Sequence, residues 1–216
     1  MTAIGRENGV ISYSQKFIKV FNNDKPSEDS LSLKTFLTST INFTNCFIFI
    51  IMNITCSFCY YLINFYVKYI PGSIYTNQIV NSLSEVVANA FALAVVNKFG
   101  IKSGFAISYL ACALACILVM VSTDGILIPI GVLGAKASIT IAFTFLYFSM
   151  VNYFDSAFLG FVMGISNVVG RLSTILAPVI AEMPDPIPMM STMILCFGAL
   201  VCCLMLQQPN NLNAKN

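Results

Sequence analysis

Six long apolar runs, separated by short polar or turn-forming stretches, set the pattern of the chain. They lie near residues 44–67, 78–96, 103–121, 126–151, 157–181 and 187–206. About 20 largely apolar residues suffice for a helix to cross a bilayer. The pattern therefore predicts six transmembrane helices. The breaks between them are Pro71-Gly72, Asn97 to Lys102, Asp124-Gly125, Asn152 to Ser156, and Met183-Pro184-Asp185-Pro186. All are short, so successive helices should return antiparallel and no sizeable extramembrane domain is expected. Residues 1–42 read as a loop-like polar segment, 43–207 as the six-span body and 208–216 as a polar tail.

Polar residues inside the runs are not scattered. Side chains three or four apart share a helix face. In the first run Asn53, Ser57, Tyr60 and Asn64 share one face, with Tyr61 adjacent. In the second, Gln78, Asn81, Glu85 and Asn89 form a stripe with Ser82 beside it. The fourth aligns Lys136, Thr140, Thr144 and Tyr147. The fifth aligns Gly160, Gly164, Asn167, Arg171, Thr174 and Pro178. The third and sixth runs carry no ion or amide side chain. Four spans thus have a polar face and two are almost wholly apolar. Such stripes also serve ordinary helix packing, but with ions on three of them they point to a shared aqueous pathway. Gly164, Gly170 and Pro178 further suggest a fifth helix that flexes or packs closely.

Composition strengthens the membrane reading. Of the 216 residues, 57% are hydrophobic and 9% charged, and mean hydropathy is +0.82. Soluble domains carry about 25% charged residues, so this chain cannot clothe a water-facing surface. Its apolar content is equally incompatible with disorder. A net charge of +2 and the lack of His leave no basic footprint for nucleic acid. The eight cysteines all fall in apolar runs. Cys56-x-x-Cys59 has the spacing of a redox or zinc motif but no second pair and no His, so it reads as small core residues. With Glu85 the lone acid inside the spans, the residues of an enzyme active site are missing. No metal or cofactor is expected.

Lys and Arg in the connecting segments predict orientation. Arg6, Lys16, Lys19, Lys25 and Lys34 precede the first span, Lys98 and Lys102 join the second and third, and Lys215 follows the sixth. The opposite side holds Lys68 alone, with Asp124, Glu182 and Asp185. Eight cations against one predict both termini on the cytoplasmic side. The other two cations, Lys136 and Arg171, lie inside spans.

These residues resemble the second, six-span half of a major facilitator superfamily transporter of the organic-ion branch, over about residues 33–206. Cys59-Tyr60-Tyr61 resembles the paired tyrosines of that family's seventh span, and Ser73-Ile74-Tyr75 the start of its eighth. Glu85 occupies the acidic position of the eighth span, and Lys136 falls where the tenth commonly has a lysine. Gly164-x6-Arg171-x6-Pro178 resembles the eleventh span, whose arginine supports organic-anion binding. Val96-Asn97-Lys98-Phe99-Gly100-Ile101-Lys102 resembles the superfamily's Asp-Arg-x-Gly-Arg-Arg gating loop. Here Asn97 replaces the acid and Ile101 the first paired arginine. The stretch from Asn152 to Leu159 lacks the Glu, Pro and Arg of the family's motif before the eleventh span, and Asn89 stands where some anion transporters have lysine.

The resemblance implies an all-α, six-helix bundle with the first, second, fourth and fifth spans lining a cavity. It implies transport of an organic ion or similar small solute by alternating access. Arg171 would contact an anionic group or pair with Glu85. Tyr60 and Tyr61 would supply aromatic and hydroxyl contacts, with Lys136, Asn64, Asn89 and Asn167 as polar wall. Asn97, Lys98, Gly100 and Lys102 would form the gating loop. Transporters of this kind place substrate between two six-span bundles, so the expected partners are the lipid bilayer, a small solute and a second six-helix half. That half would be another copy, another chain or a further part of the gene product. The competing expectation is a non-transporting membrane subunit or assembly factor derived from such a transporter.

Overall fold

The computed structural model describes residues 40–70, 73–99, 101–122, 127–154 and 156–206. Every regular element among them is helical. We label the helices α1 (Thr40–Tyr66), α2 (Ile74–Phe99), α3 (Ile101–Val121), α4 (Leu127–Tyr153), α5 (Ser156–Ser173), α6 (Ala177–Ala181) and α7 (Ile187–Leu204). Short 3-10 turns follow α1 (Val67–Tyr69) and α5 (Thr174–Leu176). Five stretches are long and apolar enough to cross a membrane: Ile41–Tyr69, Lys102–Val121, Leu127–Tyr153, Phe158–Ala181 and Ile187–Leu204. Helix α2 has 26 residues and so has the length, but Gln78, Asn81, Ser82, Ser84, Glu85 and Asn89 lower its apolarity. The chain is compatible with a multi-pass membrane protein.

Boundaries depart from the sequence pattern in places. Helix α1 already includes Thr40, ahead of residue 44 and inside what read as the loop-like segment; residues 1–39 lie outside the described ones. The break expected from Asn97 to Lys102 is much shorter. Helix α2 runs through Asn97 and Lys98 to Phe99, and Lys102 already sits in the first turn of α3. Polar side chains alone do not end a helix when no proline or glycine interrupts its hydrogen bonding. Gly100, Pro71-Gly72, Asp124-Gly125 and the tail from residue 207 lie outside the described residues.

The fifth span is one rod with a local step. Pro178 has no N–H to donate and crowds the carbonyl of Thr174, so the helix tightens to 3-10 geometry just before it. The hydroxyls of Ser173 and Thr174 donate one turn back, to the carbonyls of Gly170 at 2.6 Å and Arg171 at 2.7 Å.

Helix α1 is the central post and packs against α4, α5, α6 and α7. Its span is 67% buried, against 17% for the α5–α6 span. Phe49, Met52, Cys56, Cys59 and Ile63, at steps of three or four, are wholly enclosed. Helix α4 joins α1 to α2 and α3, and α3 in turn packs on α7. The apolar pair α3 and α7 therefore backs the bundle. The cysteines are free thiols, all buried except the half-buried Cys202; Cys56 Sγ lies 3.2 Å from the hydroxyl of Tyr109.

Between helices in hydrocarbon there is little hydrophobic drive, and close packing of small residues takes its place. Gly131 of α4 shows this against α3. A Cβ there would stand 2.6 Å from Val119 Cγ2 and 3.3 Å from the carbonyl oxygen of Ala115. Gly131→Ala should lower stability by about 1–3 kcal/mol through overpacking. Gly198→Ala, where a Cβ meets nothing within 4 Å, should change little. Unfolding midpoints in mixed detergent micelles compare the two, and equal midpoints would contradict the packing argument.

One end of the bundle is clasped by polar bonds. Tyr66 donates to Asp185 at 2.8 Å, and Lys68 pairs with Glu182 at 3.1 Å. Asn77 in the first turn of α2 donates to the carbonyl of Ile70 at 3.2 Å. The end of α1, the start of α2 and the α6–α7 turn thus share one side.

Candidate functional site

Four helices meet around a cleft of about 330 Å³. Helix α1 contributes Tyr60 and Tyr61, α2 contributes Glu85 and Asn89, and α5 contributes Arg171. The α4 wall is Thr140, Phe143, Thr144 and Tyr147. No cleft residue comes from α3 or α7. The four polar-faced spans converge, and the two apolar spans stand behind them.

Beneath the cleft floor lies a buried ion pair. Lys136 is wholly enclosed, and its ammonium sits 3.0 Å from Glu85 Oε1, whose side chain is 25% exposed. The same ammonium donates to Asn64 Oδ1 at 2.8 Å and lies 3.0 Å from the centre of the Tyr60 ring. Tyr60 donates its hydroxyl proton to the Glu85 carboxylate, 3.0 Å from both oxygens. Asn81 completes the group by donating to Asn64 Oδ1 at 2.9 Å. Charge, hydrogen bonds and ring face all act on one cation, which is how a buried charge becomes tolerable. Lys136 and Asn64, expected as polar wall, consequently do not line the cleft. They hold Glu85 and Tyr60 from below.

Arg171 stands differently. It is exposed toward the cleft and donates through Nη1 to the hydroxyl of Tyr61, with its guanidinium 5.5 Å from that ring's centre. Among the described residues no carboxylate lies within ion-pair distance of it; the two ion pairs found there belong to Lys68 and Lys136. Arginine stays protonated when buried, so its charge faces the cleft unbalanced. The spacing of α5 from α1 is set next to it at Gly170, where a Cβ would stand 3.0 Å from Ser57 Oγ and 3.1 Å from Asn53 Oδ1.

The predicted residues thus divide by depth. Tyr60, Tyr61, Glu85, Asn89 and Arg171 line the cleft. Asn167 lies behind it, its Oδ1 accepting from Tyr147 at 2.7 Å and from Asn53 at 3.3 Å. Asn89 Oδ1 accepts from Thr144 at 2.8 Å. Of the gating-loop candidates, Asn97 and Lys98 belong to the last turn of α2 and Lys102 to the first turn of α3.

Phe143 is the cleft residue that the polar stripes did not mark. Its ring is 5.5 Å from Tyr147 and 6.0 Å from Tyr60, centre to centre. It sits seven residues after Lys136 and four before Tyr147, so periodicity places it on the same face. An apolar residue in an apolar run offers no contrast, and only adjacency to the polar stripe could have flagged it. Together with Tyr60, Tyr61 and Tyr147 it makes an aromatic wall opposite a guanidinium.

A larger groove, about 480 Å³, runs between α2 and α4, lined mainly by residues such as Val80, Leu83, Phe91 and Ile141. It contains no charged group and suits lipid chains rather than polar chemistry. Among the described residues no three His, Cys, Asp or Glu side chains could hold a metal ion. Compared with known proteins, the chain matches no family model and no curated protein.

Proposed function

We propose that the chain is a six-helix half of a secondary transporter of the major facilitator type, and that it carries a small organic anion by alternating access. The observation that supports this most is Arg171, an exposed guanidinium at mid-span with no carboxylate within ion-pair distance among the described residues. Placing such a residue at the centre of a membrane helix costs about 2.5–3.5 kcal/mol on insertion scales. A cost of that size is offset if an anionic ligand or water meets the charge. The rings of Tyr60, Tyr61, Phe143 and Tyr147 suit the apolar body of a solute, and Arg171 suits a carboxylate or sulfonate held through two parallel hydrogen bonds.

Uptake by the full chain reconstituted in lipid vesicles tests the reading. A panel of labelled aromatic carboxylates should include at least one that enters saturably and is competed by its unlabelled form. Absence of saturable uptake across anions, cations and neutral solutes would reject transport.

The orientation belongs to the same proposal, with both termini cytoplasmic. A cysteine introduced at Gly125 should react with an impermeant maleimide added outside intact cells, over the low background of the buried native thiols. Reaction only after the membrane is opened would reverse the topology.

A further inference from the structure

The apolar groove between α2 and α4 extends beyond its main chamber of about 480 Å³. A second chamber of about 200 Å³ continues it, and the two share Val80 and Leu133. Together they form one furrow, from Asn77 and Pro129 to Phe91 and Ile141, with no residue in common with the cleft. At 1.5 Å per residue the stretch from Asn77 to Phe91 is about 21 Å long. One leaflet of bilayer hydrocarbon is about 15 Å deep. The furrow therefore takes a molecule that spans a single leaflet with its head at the interface.

The furrow is a slot. Ala88 and Ala137 are small, while Leu83 and Phe91 stand out from α2 with 62% and 61% of their surface exposed. Polarity narrows the occupant further. Among the described residues no charged side chain lines the furrow, and the polar ones are Ser84 and Asn77. Ser84 is engaged within its own helix, donating to the carbonyl of Asn81 at 2.7 Å. Asn77 sits at the end of the slot, in the first turn of α2. Its Nδ2 donates to the carbonyl of Ile70 at 3.2 Å, which leaves Oδ1 to accept one bond.

A phosphate or carboxylate head is best met by cationic donors. Lys68, the cation described at that end, is already paired with Glu182 at 3.1 Å. A single acceptor above an uncharged slot suits one hydroxyl. A fused-ring body has few torsions to lose on entering an open slot, whereas an acyl chain must be ordered bond by bond. One leaflet in length, one hydroxyl and a rigid flat body describe a sterol.

We propose that the α2–α4 furrow is a sterol-binding site, with the sterol hydroxyl donating to Asn77 Oδ1 and the rings lying over Ala88 and Ala137. The site goes beyond the transport reading and does not depend on it.

Photolabelling of the full chain in dioleoylphosphatidylcholine vesicles tests it, with cholesterol carrying a diazirine in its tail as the probe. Label should fall on α2 and α4 near Phe91 and Ile141, with α3 and α7 at background. Unlabelled cholesterol should compete saturably. Its 3-methyl ether cannot donate and should compete about threefold to tenfold less well, the worth of one hydrogen bond. Ala137→Leu places a branched side chain on the slot floor and should cut labelling about tenfold, with an unfolding midpoint near wild type when sterol is absent. The competition measurements use the wild-type chain, so they decide the matter whether or not that variant folds. Equal competition by dioleoylglycerol would give the furrow to acyl chains and overturn the proposal. So would equal competition by the methyl ether, label spread evenly over α3 and α7, or unchanged labelling of a folded Ala137→Leu.

Discussion

Arg171→Ala is expected to reduce uptake of an organic anion by the reconstituted protein about thirtyfold or more, while the chain still inserts and purifies as wild type. Removing one partner of a desolvated, hydrogen-bonded charge pair costs about 2–5 kcal/mol, and each 1.4 kcal/mol is about tenfold. The loss should fall on the anion because, among the described residues, Arg171 has no carboxylate to release. Stability should change little, since the lost internal contacts are those to Tyr61 and the insertion cost of a cation disappears with it. Arg171→Lys separates charge from geometry. The ammonium keeps the positive charge but not the planar fork, so uptake should fall between wild type and Arg171→Ala. Equal uptake by wild type and Arg171→Ala would reduce the residue to a packing role.

The second large effect lies under the cleft. Glu85→Gln should destabilise the bundle by about 3–5 kcal/mol, because it leaves the Lys136 ammonium enclosed without a counter-ion. Lys136 cannot turn to water, since its side chain is fully buried. The remaining acceptors, Asn64 Oδ1 and the carbonyl of Tyr60, supply dipoles and no charge. The double variant Glu85→Gln with Lys136→Met should recover much of the loss, because a buried pair replaced as a unit is often near neutral. The expected signature is a strongly non-additive double-mutant cycle in unfolding midpoints. Additive losses would mean that the two groups do not act as a pair. Such a pair also positions chemistry. Tyr60 and Glu85 face the cleft from fixed places because Lys136 anchors both, so milder changes at Asn64 should disturb uptake more than stability.

Taken alone, the apolar runs specify helices able to cross a membrane, for a physical reason. Backbone N–H and C=O groups in hydrocarbon must be satisfied within the segment, so about 20 apolar residues in a row leave few alternatives to a helix. Periodicity then assigns faces. That is why Asn53, Asn64, Glu85, Lys136 and Arg171 could be placed on stripes, and why α3 and α7 could be set apart as apolar. Ends were less legible. The polar stretch from Asn97 to Lys102 looked like a loop yet is mostly helix, because polarity by itself does not break hydrogen bonding along a helix. The 3-10 step before Pro178 was legible as a perturbation, its form only in the folded helix.

Tertiary structure decided which charge met which. From the residues, Arg171 is the expected partner of an anionic group or of Glu85, the single acid inside the spans, and Lys136 a part of the polar wall. Helical spacing states the face of a side chain but not which helix stands opposite, at what depth or how far away. Packing of α2 on α4 puts Glu85 3.0 Å from Lys136, while α5 leans on α1 through Gly170 and turns Arg171 to the open side. The same packing sank Asn64 and Asn167 behind the wall and brought Phe143 forward into it. The composition of each stripe was a property of the sequence. The balance of charge between stripes depended on distances of a few ångströms between helices far apart in the chain, and the order of residues does not encode those until the bundle has closed.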